Sequence, residues 1–373
     1  MPSIIHHNHQ ILKVTRKLIA ETAQVSTSTV GMILSGRGQH YNVKTRERVL
    51  QVAADLGYQP SINARAFRLK CSLLLGVLVN AVNTHHAAEL LRGVQSVIAA
   101  TDYSPLVFFA RSQEDQEQCL ARCLDRRVDG LLINCVVGAA AAELDGVIHQ
   151  LASQAAPVVE FFGHLLPGVP KVNVDNRQTA ELCVRHLIAQ GHRRIALFTH
   201  GRYEHQVLHF DAWEQSQGYR DALQAAGLQP IIIAGDMDFS RLHEPGFLEV
   251  EFLRLGFEGL ATLLALPQPP TAVLCYTDQT AVGLNRACRL KGLQVPAELS
   301  IIGNGGTALS AIINPPLTTT RPPAFEIGRT AAANLLLAIR GQAPADASIA
   351  ETLIERQSTA APQGDRQPAQ PAR

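Results

Sequence analysis

Residues 18–35, LIAETAQVSTSTVGMILS, decide how the rest of the chain is interpreted. Their apolar residues form two short runs at helical spacing, and Val30, Ile33 and Leu34 repeat at i, i+3 and i+4 in the second run. Ser26 stands just before that run, where a hydroxyl can cap free backbone N–H groups. The pattern is typical of a helix-turn-helix, whose second helix fits the DNA major groove. An ordinary helical hairpin is the alternative for this stretch alone.

The first seventy residues are basic, although the whole chain of 373 residues has a formal net charge of only +1. The carboxylates of this region are Glu21, Glu47 and Asp55. They are outnumbered by Lys13, Arg16, Lys17, Arg37, Lys44, Arg46, Arg48, Arg65, Arg68 and Lys70. A basic head on an acidic body predicts that the head alone binds a polyanion.

Composition argues against a secreted, membrane or disordered protein. The apolar fraction of 46% is ample for large cores. No signal peptide is recognisable, and no apolar run approaches the ~18 residues of a membrane span. Cys119 and Cys123 lie one helical turn apart but have no His or carboxylate at metal spacing. We therefore expect a cytoplasmic protein with no membrane contact, no metal and no cofactor.

The chain divides into segments that differ in composition and in hydropathy pattern. A third helix is predicted at Thr45–Leu56 and is ended by Gly57, and a short helical segment follows Pro60. The last residues are rich in Pro, Gln and Ala, a composition typical of disorder. We expect a flexible extension at 1–13, a helix-turn-helix domain at 14–59, a hinge helix at 60–71, a body at 72–357 and a disordered tail at 358–373.

The body alternates short apolar runs, such as LLLGVLVN (73–80) and PLVFFA (105–110), with longer amphipathic stretches. This alternation predicts an α/β fold with parallel sheets covered by helices on both faces. About nine runs exceed one comfortable sheet, so we expect two similar subdomains. Their predicted extents are about 72–163 with 321–350, and 164–320 with 351–357. A ligand of such sheets binds outside the carboxyl ends of the strands.

This combination resembles the lactose-repressor (LacI/GalR) family of bacterial transcription regulators over about residues 14–359. The resemblance rests on ordered blocks, among them IAETAQVSTSTVGMIL (19–34), HLIAQGHRRIALF (186–198), TDQTAVGLNRACRLKGLQVPAELSIIG (277–303) and PLTTTR (316–321). It implies a periplasmic-binding-protein-like body, a homodimer or a dimer of dimers, a near-palindromic operator, and a small effector held between the body subdomains. No leucine heptads follow residue 357, so we expect a dimer.

The resemblance also implies which residues contact DNA. The candidates are Thr15, Ser26, Thr27, Ser28, Thr29, Met32, Arg37, Lys44, Arg46, Arg65, Phe67 and Arg68. The basic residues would meet phosphates, which supply affinity but little sequence choice. Phe67 stands where hinge helices of the family insert an apolar side chain, usually leucine, into the minor groove. Packing of Phe67 on the body is the alternative.

The base-reading helix departs from the family pattern. The family commonly has T-V-S-R where this chain has Thr29-Val30-Gly31-Met32. Methionine cannot make the bidentate contact to guanine that arginine makes, so Thr27, Ser28 and Met32 would suit thymine methyl groups and phosphates. Gln24 stands where the turn usually has glycine and must accept the strain of that turn. We expect an unusual operator preference; weakened operator reading is the alternative.

The candidate effector-binding residues follow the predicted strands. They are Asn83, His85, His86, Phe161, Gln215, Met237, Thr277, Asp278 and Asn304. Sugar-binding members of the family typically have an arginine, an asparagine and an aspartate where this chain has Gln215, Thr277 and Gly305. Since two charged anchors are lost, we expect an effector other than a simple sugar. For Asp278 a structural role, capping a helix that begins at Gln279, is the favoured alternative.

The sequence thus predicts an effector-responsive, DNA-binding transcriptional regulator, most simply a repressor, and not an enzyme. No GxSxG, P-loop or GxGxxG motif that follows a strand is present. An α/β enzyme and a pure ligand-binding protein of the periplasmic type are the alternative classes. The basic head argues against the latter.

Overall fold

The structure is a computed structural model, and it describes residues 14–58, 71–80, 86–135, 146, 151, 153, 156–163, 166–201, 210–238, 241, 244 and 246–363. The contacts along the chain divide it into two compact units, Met1–Cys71 and Ser72–Arg373.

Residues 14–58, the described part of the first unit before Cys71, form three short helices around a small core. They are α1 (Arg16–Thr22), α2 (Thr27–Leu34) and α3 (Val43–Asp55). Ile19 of α1, Val30 and Ile33 of α2 and Val49 of α3 meet in that core. Helix α3 begins two residues before the predicted Thr45 because Asn42 caps it: its Oδ1 accepts a hydrogen bond from the backbone N–H of Lys44 at 2.7 Å.

The turn between α1 and α2 is tight because one residue takes a left-handed conformation. Gln24 has φ 53°, a region that favours glycine. The backbone N–H of the next residue, Val25, donates to the carbonyl of Ala20 at 3.0 Å and so closes the end of α1. Gln24 therefore carries the strain that the sequence predicted for this position.

The second unit contains two six-stranded sheets. The first sheet has the order β11-β5-β4-β3-β1-β2, and the second has the order β12-β10-β9-β8-β6-β7. Pairing is parallel throughout except between β10 and β12. The strands are β1 (Leu74–Asn80), β2 (Ser104–Ala110), β3 (Gly130–Ile133), β4 (Val158–Phe161), β5 (Lys171–Val174), β6 (Ile195–His200), β7 (Ile231–Gly235), β8 (Ala272–Cys275), β9 (Ser300–Asn304), β10 (Thr318–Arg321), β11 (Ala347–Ile349) and β12 (Thr352–Ile354).

Helices cover these sheets, as the alternating pattern predicted. The helices are α4 (Ala87–Ile98), α5 (Gln113–Asp125), α6 (Asn176–Ala189), α7 (Phe210–Ala225), α8 (Phe247–Leu264), α9 (Asp278–Lys291), α10 (Ala308–Ile312) and α11 (Ala324–Ile339). Apolar side chains of α4 and α11 pack with the first sheet, and those of α8 and α9 pack with the second. The predicted α/β class, with a helix-turn-helix head and two parallel-sheet subdomains, is confirmed.

The first passage of the chain between the two sheets lies at another place than the sequence indicated. Strand β5 pairs with β4, so the first sheet extends beyond the expected boundary at residues 163 and 164, and the first crossing lies between Val174 and Asn176. The second crossing lies between β10, in the second sheet, and α11, which packs against the first. The third is the step from Ile349 of β11 to Thr352 of β12.

The start of the predicted disordered tail is ordered, so that prediction is wrong for residues 358–363. Ser358 is buried, its carbonyl accepts from Ile301 N–H at 2.8 Å, and its hydroxyl accepts from Thr318 N–H at 2.8 Å. The carbonyl of Ala360 accepts from Ser300 Oγ at 3.1 Å. Composition suggested disorder, but the second sheet offers backbone groups that this segment satisfies.

Among the described residues, no helix combines the length and the apolar character needed to cross a membrane.

Candidate nucleic-acid interface and effector site

Helix α2 presents a cluster of hydroxyl groups at its N-terminus. The Ser26 hydroxyl caps the helix by accepting from Thr29 N–H at 3.1 Å. It also lies 2.8 Å from both Ser28 Oγ and Thr29 Oγ1. Thr27 and Ser28 are exposed, and Thr29 and Met32 are half-buried. This end of α2 therefore offers short hydroxyl side chains and methyl groups and carries no cation.

Thr15 does for α1 what Ser26 does for α2. It is the N-cap residue, and its hydroxyl accepts from Leu18 N–H at 3.3 Å. Its side chain is exposed, so the same residue remains open to contact with a phosphate.

The first unit carries four basic side chains that the sequence predicts to lie near DNA phosphates. Arg37, Lys44 and Arg48 are exposed and Arg46 is half-buried. Within residues 14–58, none of these cations pairs with a carboxylate, and the Nε of Arg46 is buried without a hydrogen-bond partner. Uncompensated guanidinium and ammonium groups favour binding of a polyanion. The remaining candidates, Arg65, Phe67 and Arg68, fall outside the described residues.

A cation that sequence reasoning did not single out lies beside α2. Arg16, in the first turn of α1, donates from Nε to the hydroxyl of Tyr58 at 3.2 Å. Its Nη1 lies 3.8 Å from the position that a Cβ on Gly31 would occupy. The signal in the sequence was the glycine in the middle of a recognition helix, which leaves room for a side chain from elsewhere.

Of the candidate effector residues of the first sheet, Phe161 and His86 lie in the described part of the chain. Phe161 is only 1% exposed and packs in the core of that subdomain, so its side chain does not offer a surface to a ligand. The neighbouring Phe162 is half-buried and has φ 47°, which turns the chain just after β4. His86 is half-buried immediately before α4. Asn83 and His85 fall outside the described residues.

Asp278 bridges the loop that follows β9 and the strand β10. It is fully buried; its Oδ2 accepts from the backbone N–H of Thr307 at 2.7 Å and its Oδ1 accepts from the hydroxyl of Thr319. The prediction that Asp278 caps the helix was wrong, because Thr277 is the N-cap and accepts from Thr280 N–H at 3.2 Å. With both carboxylate oxygens engaged, Asp278 acts as a structural bridge.

Gln215 differs from the other candidates because part of its side chain has nothing to bind. It lies on α7, is 2% exposed, and its Oε1 has no hydrogen-bond partner among the described residues. The hydroxyl of Thr199, near the carboxyl end of β6, is buried and unpartnered in the same sense. Asn304 is half-buried at the end of β9, whereas Met237 packs in the core of this subdomain. A buried polar atom without a partner is costly unless a ligand or water satisfies it.

An aromatic group at the carboxyl ends of β6 and β8 was not predicted. The rings of His200 and Tyr276 lie 5.0 Å apart edge to face, and the ring of Phe252 lies 5.5 Å from Tyr276. Tyr276 donates to Oδ2 of Asp211, in the first turn of α7, at 2.6 Å. Burial, together with this carboxylate, raises the pKa of Tyr276 well above its ordinary value. The phenol therefore stays a neutral donor at physiological pH.

The two cysteines considered for a metal are buried thiols. Burial raises the pKa of Cys123 to about 12, and burial also raises the pKa of Cys119. A thiol, unlike a thiolate, is a poor metal ligand. No group of three or more His, Cys, Asp or Glu that could hold a metal ion occurs in the described part of the chain.

Two family models match the chain. Residues 15–61 match that of the bacterial regulatory proteins, lacI family, and residues 184–359 match that of a periplasmic binding protein-like domain.

Curated relatives align over most of their length. The chain is 32% identical over 330 residues to the ribose operon repressor of Haemophilus influenzae. This alignment covers 87% of this chain and 92% of that protein. It is 32% identical over 340 residues to the HTH-type transcriptional repressor CytR of Escherichia coli K12, with coverage of 88% and 90%. Catabolite control protein A of Priestia megaterium is 30% identical over 349 residues, with coverage of 91% and 96%.

Solved structures agree with this match. The lac repressor dimer bound to operator and the anti-inducer ONPF superposes with a TM-score of 0.73 at 27% identity, covering 93% of this chain and 99% of that chain. Because 93% of this chain is covered, the likeness includes residues of both units.

Proposed function

Because the chain belongs to the lacI family of bacterial regulatory proteins, and is accordingly a DNA-binding transcriptional regulator with an effector-binding body, we propose that it is a repressor which binds a near-palindromic operator as a homodimer. A small molecule bound between the two body subdomains would set its affinity for the operator. The relatives from Haemophilus influenzae and Escherichia coli are repressors by name, and we assign no reaction and no cofactor to this chain. Its place of action would be the cytoplasm, where the operator is.

The observation that carries this proposal is the surface of the first unit. A capped recognition helix exposes Thr27 and Ser28, and the cations Arg37, Lys44 and Arg48 have no acidic partner in the described part of that unit. Short polar side chains on such a helix read base edges, and unpaired cations on the same small unit bind phosphates. A helical hairpin that served only as a scaffold would have no need of so many unpaired cations.

Titration of labelled duplexes tests DNA binding. Fluorescence anisotropy with DNA from upstream of the gene and its neighbours should show saturable binding that weakens steeply, by roughly a thousandfold, between about 50 and 200 mM salt. The variants Arg37→Gln and Lys44→Gln should each reduce the slope of log affinity against log salt by about 2 per dimer, since one phosphate contact per head is lost. Absence of binding at low salt would refute the proposal.

Exposed apolar side chains of the second subdomain support a homodimer. Val250, Phe257 and Leu264 recur every seven residues of α8, which places them along one stripe of that helix, and all three are exposed. The guanidinium of Arg286, on α9, lies 5.9 Å from the ring of Phe257, and Leu290 follows one turn later with 69% of its surface exposed. Exposed apolar side chains concentrated on two packed helices are typical of a protein–protein interface.

A third apolar element extends this surface. Helix α10 contacts α9 in the fold and carries Leu309 and Ile312, the latter 78% exposed. We define the dimer patch as Val250, Phe257, Leu264, Leu290, Leu309 and Ile312. A second copy of this chain is the proposed occupant, because two heads must be held at a fixed spacing to meet the two half-sites of a near-palindrome.

The effector proposal rests on what the described rim of the second sheet offers. Gln215 and Thr277 are neutral, and the carboxylate of Asp278 is engaged by Thr307 and Thr319. The unsatisfied Oε1 of Gln215 accepts a hydrogen bond and repels an anion. We therefore propose an effector that presents an N–H or O–H donor to Gln215 and a ring that can pack near Tyr276. Because Gln215 and Gly305 replace the two charged anchors expected for sugars, we also propose that it is not a simple sugar.

A thermal-shift screen of metabolites tests this class of effector. A ligand at 100 times its dissociation constant adds about 2.7 kcal/mol to the stability of the folded chain. The variant Gln215→Leu should abolish that shift, whereas Gln217→Leu on the same helix should keep it. Tight binding of a simple hexose in calorimetry would contradict the proposed class while leaving the repressor proposal intact.

A further inference from the structure

The recognition helix of this chain lacks the side chains that usually read guanine or adenine. Residues 27–34, TSTVGMIL, contain no arginine, lysine, asparagine or glutamine. Bidentate hydrogen bonds to guanine come from arginine or lysine, and those to adenine come from asparagine or glutamine. On its own, α2 would distinguish little beyond thymine methyl groups, and a regulator would gain poor discrimination from it.

A guanidinium from another helix lies on the same face of α2. Arg16 belongs to α1, and its Nη1 lies 3.8 Å from the point where a Cβ on Gly31 would stand. Gly31 follows exposed Thr27 by four residues, so the two positions are adjacent on one face of the helix. The cation is therefore one helical turn from a side chain expected to meet base edges.

A small residue at position 31 leaves room for this approach, because a Cβ there would lie at an ordinary contact distance, 3.8 Å, from Nη1 of Arg16. We expect a side chain longer than a methyl group at that position to occupy the space beside the Arg16 guanidinium.

Arg16 is held in place without being neutralised. Its Nε donates to the Tyr58 hydroxyl at 3.2 Å, while no carboxylate pairs with it among residues 14–58 and the side chain is half-buried. The next residue, Lys17, instead lies 4.0 Å from the carboxylate of Glu21. One fixed hydrogen bond at Nε leaves both terminal nitrogens of the guanidinium, the pair that matches guanine, free to donate.

We propose that Arg16, from the neighbouring helix α1 of the same chain, supplies the guanine-reading guanidinium that α2 lacks, with Gly31 as the gap and Tyr58 as the positioning residue. Its two terminal nitrogens donate to N7 and O6 of one guanine in each operator half-site. This inference rests on the proposed function. A contact of Arg16 with a phosphate, and a purely structural tether to Tyr58, are the two competing roles.

Selection from a random duplex library with the full chain tests the proposal. The wild-type chain should enrich a half-site with one invariant guanine, and Arg16→Met should enrich the same half-site with that position randomised. The control Lys17→Met removes the same charge from the same helix and should weaken all duplexes evenly while keeping the guanine. If the wild type enriches no invariant guanine, or Arg16→Met retains it, the proposal is overturned.

A modified base separates base reading from phosphate contact. Replacing the invariant guanine by 7-deazaguanine removes the N7 acceptor and should weaken wild-type binding by roughly tenfold or more, with no effect on Arg16→Met. An equal loss in both proteins would show that a group other than Arg16 reads N7, and would overturn the proposal. Enrichment of no duplex at all, even at low salt, would be a failure of the proposed function itself.

Variants around Arg16 keep the test decisive if Arg16→Met does not fold. Gly31→Ala adds a methyl group at an ordinary contact distance and should preserve the guanine preference. Gly31→Leu fills the gap and should lose the preference although Arg16 is intact. Tyr58→Phe releases Nε and should reduce the sensitivity to 7-deazaguanine. Unchanged preference in both Gly31→Leu and Tyr58→Phe would show that the guanidinium does not act where we place it.

Discussion

At the residue scale, the backbone of Gln24 holds the turn of the head in a conformation that glycine adopts without strain. Its φ of 53° lies in the left-handed region, where a Cβ meets the following carbonyl oxygen. The variant Gln24→Gly should raise the free energy of unfolding of the head by up to ~1 kcal/mol, because native strain is relieved at some entropic cost. Calorimetry of the head transition in the full chain measures this. Gln24→Ala, which keeps the Cβ, should give no gain; an equal gain from alanine would contradict the explanation.

Glu351 is a second residue whose environment is out of the ordinary. It lies at the third crossing between the sheets, between β11 and β12, and is only 7% exposed. Its Oε2 has no hydrogen-bond partner among the described residues. Burial, and to a smaller extent the nearby charge of Asp278, raises the pKa of Glu351 from 4.5 to about 7. The folded chain therefore binds a proton that the unfolded chain releases near pH 4.5.

This difference predicts a pH dependence of stability. Because the folded state binds the proton more tightly, the free energy of unfolding should fall as pH rises from about 4.5 to about 7 and level off above that, by up to ~3 kcal/mol in total. Glu351→Gln should remove this part of the dependence, so that the difference between variant and wild type grows across the window. Urea unfolding at several pH values measures it. Glu117→Gln, at an exposed position of α5 whose carboxylate accepts from the neutral amide of Gln113, is the control, and parallel curves for Glu351→Gln and wild type would contradict the assignment.

Local residue roles were easier to predict than distant ones. Ser26 caps α2 as its position before an apolar run indicated, because a cap is set by neighbours in sequence. Asp278 looked like a cap too, but its carboxylate binds Thr307 and Thr319, which lie far along the chain. The approach of Arg16 to Gly31 was missed for the same reason. It joins residues of two different helices, and no regular spacing in the sequence indicates such a contact.

At the element scale, the predictable parts were those with strong periodicity. Each long apolar run became a strand, and β1 over Leu74–Asn80 falls within the expected 73–80. The short strands β11 and β12 have three residues each. They were not expected, because three residues are too few to show the alternation of apolar and polar residues that indicates a strand. The crossing after β5 was misplaced since composition does not record which sheet a strand joins.

The segment after β12 gives a prediction about an element that composition concealed. Ser358 donates to Ile301 O at 2.5 Å and accepts from Thr318 N–H, so Ser358→Ala leaves two buried backbone groups unsatisfied. We expect a loss of about 1–3 kcal/mol in the free energy of unfolding of the body. Urea unfolding measures it, with Gln357→Ala, an exposed neighbour, as the matched control. Equal stability of the two variants would mean that this segment does not support the second sheet.

At the scale of the whole molecule, affinity for an operator depends on two heads acting together. When both heads of a dimer contact one duplex, the second binds from a high effective concentration, and a monomer loses that advantage. The dimer patch would hold the two heads together, and its most exposed members are Leu290 and Ile312. Charging them should uncouple the heads while leaving each head and each body folded, because both side chains face solvent in the single chain.

The variant Ile312→Glu should therefore sediment as a monomer at concentrations where the wild type is a dimer, since a carboxylate buried at an apolar interface is not compensated. Its affinity for a full operator should fall toward that for an isolated half-site, while the melting of the single chain stays within about 0.5 kcal/mol of the wild type. Leu182→Glu changes an exposed leucine on α6, outside the dimer patch, and should leave both the dimer and the operator affinity unaltered. If Ile312→Glu remains dimeric while Leu182→Glu dissociates, the subunits associate through the face that includes α6. If a monomeric variant binds the operator with undiminished affinity, one head suffices for binding.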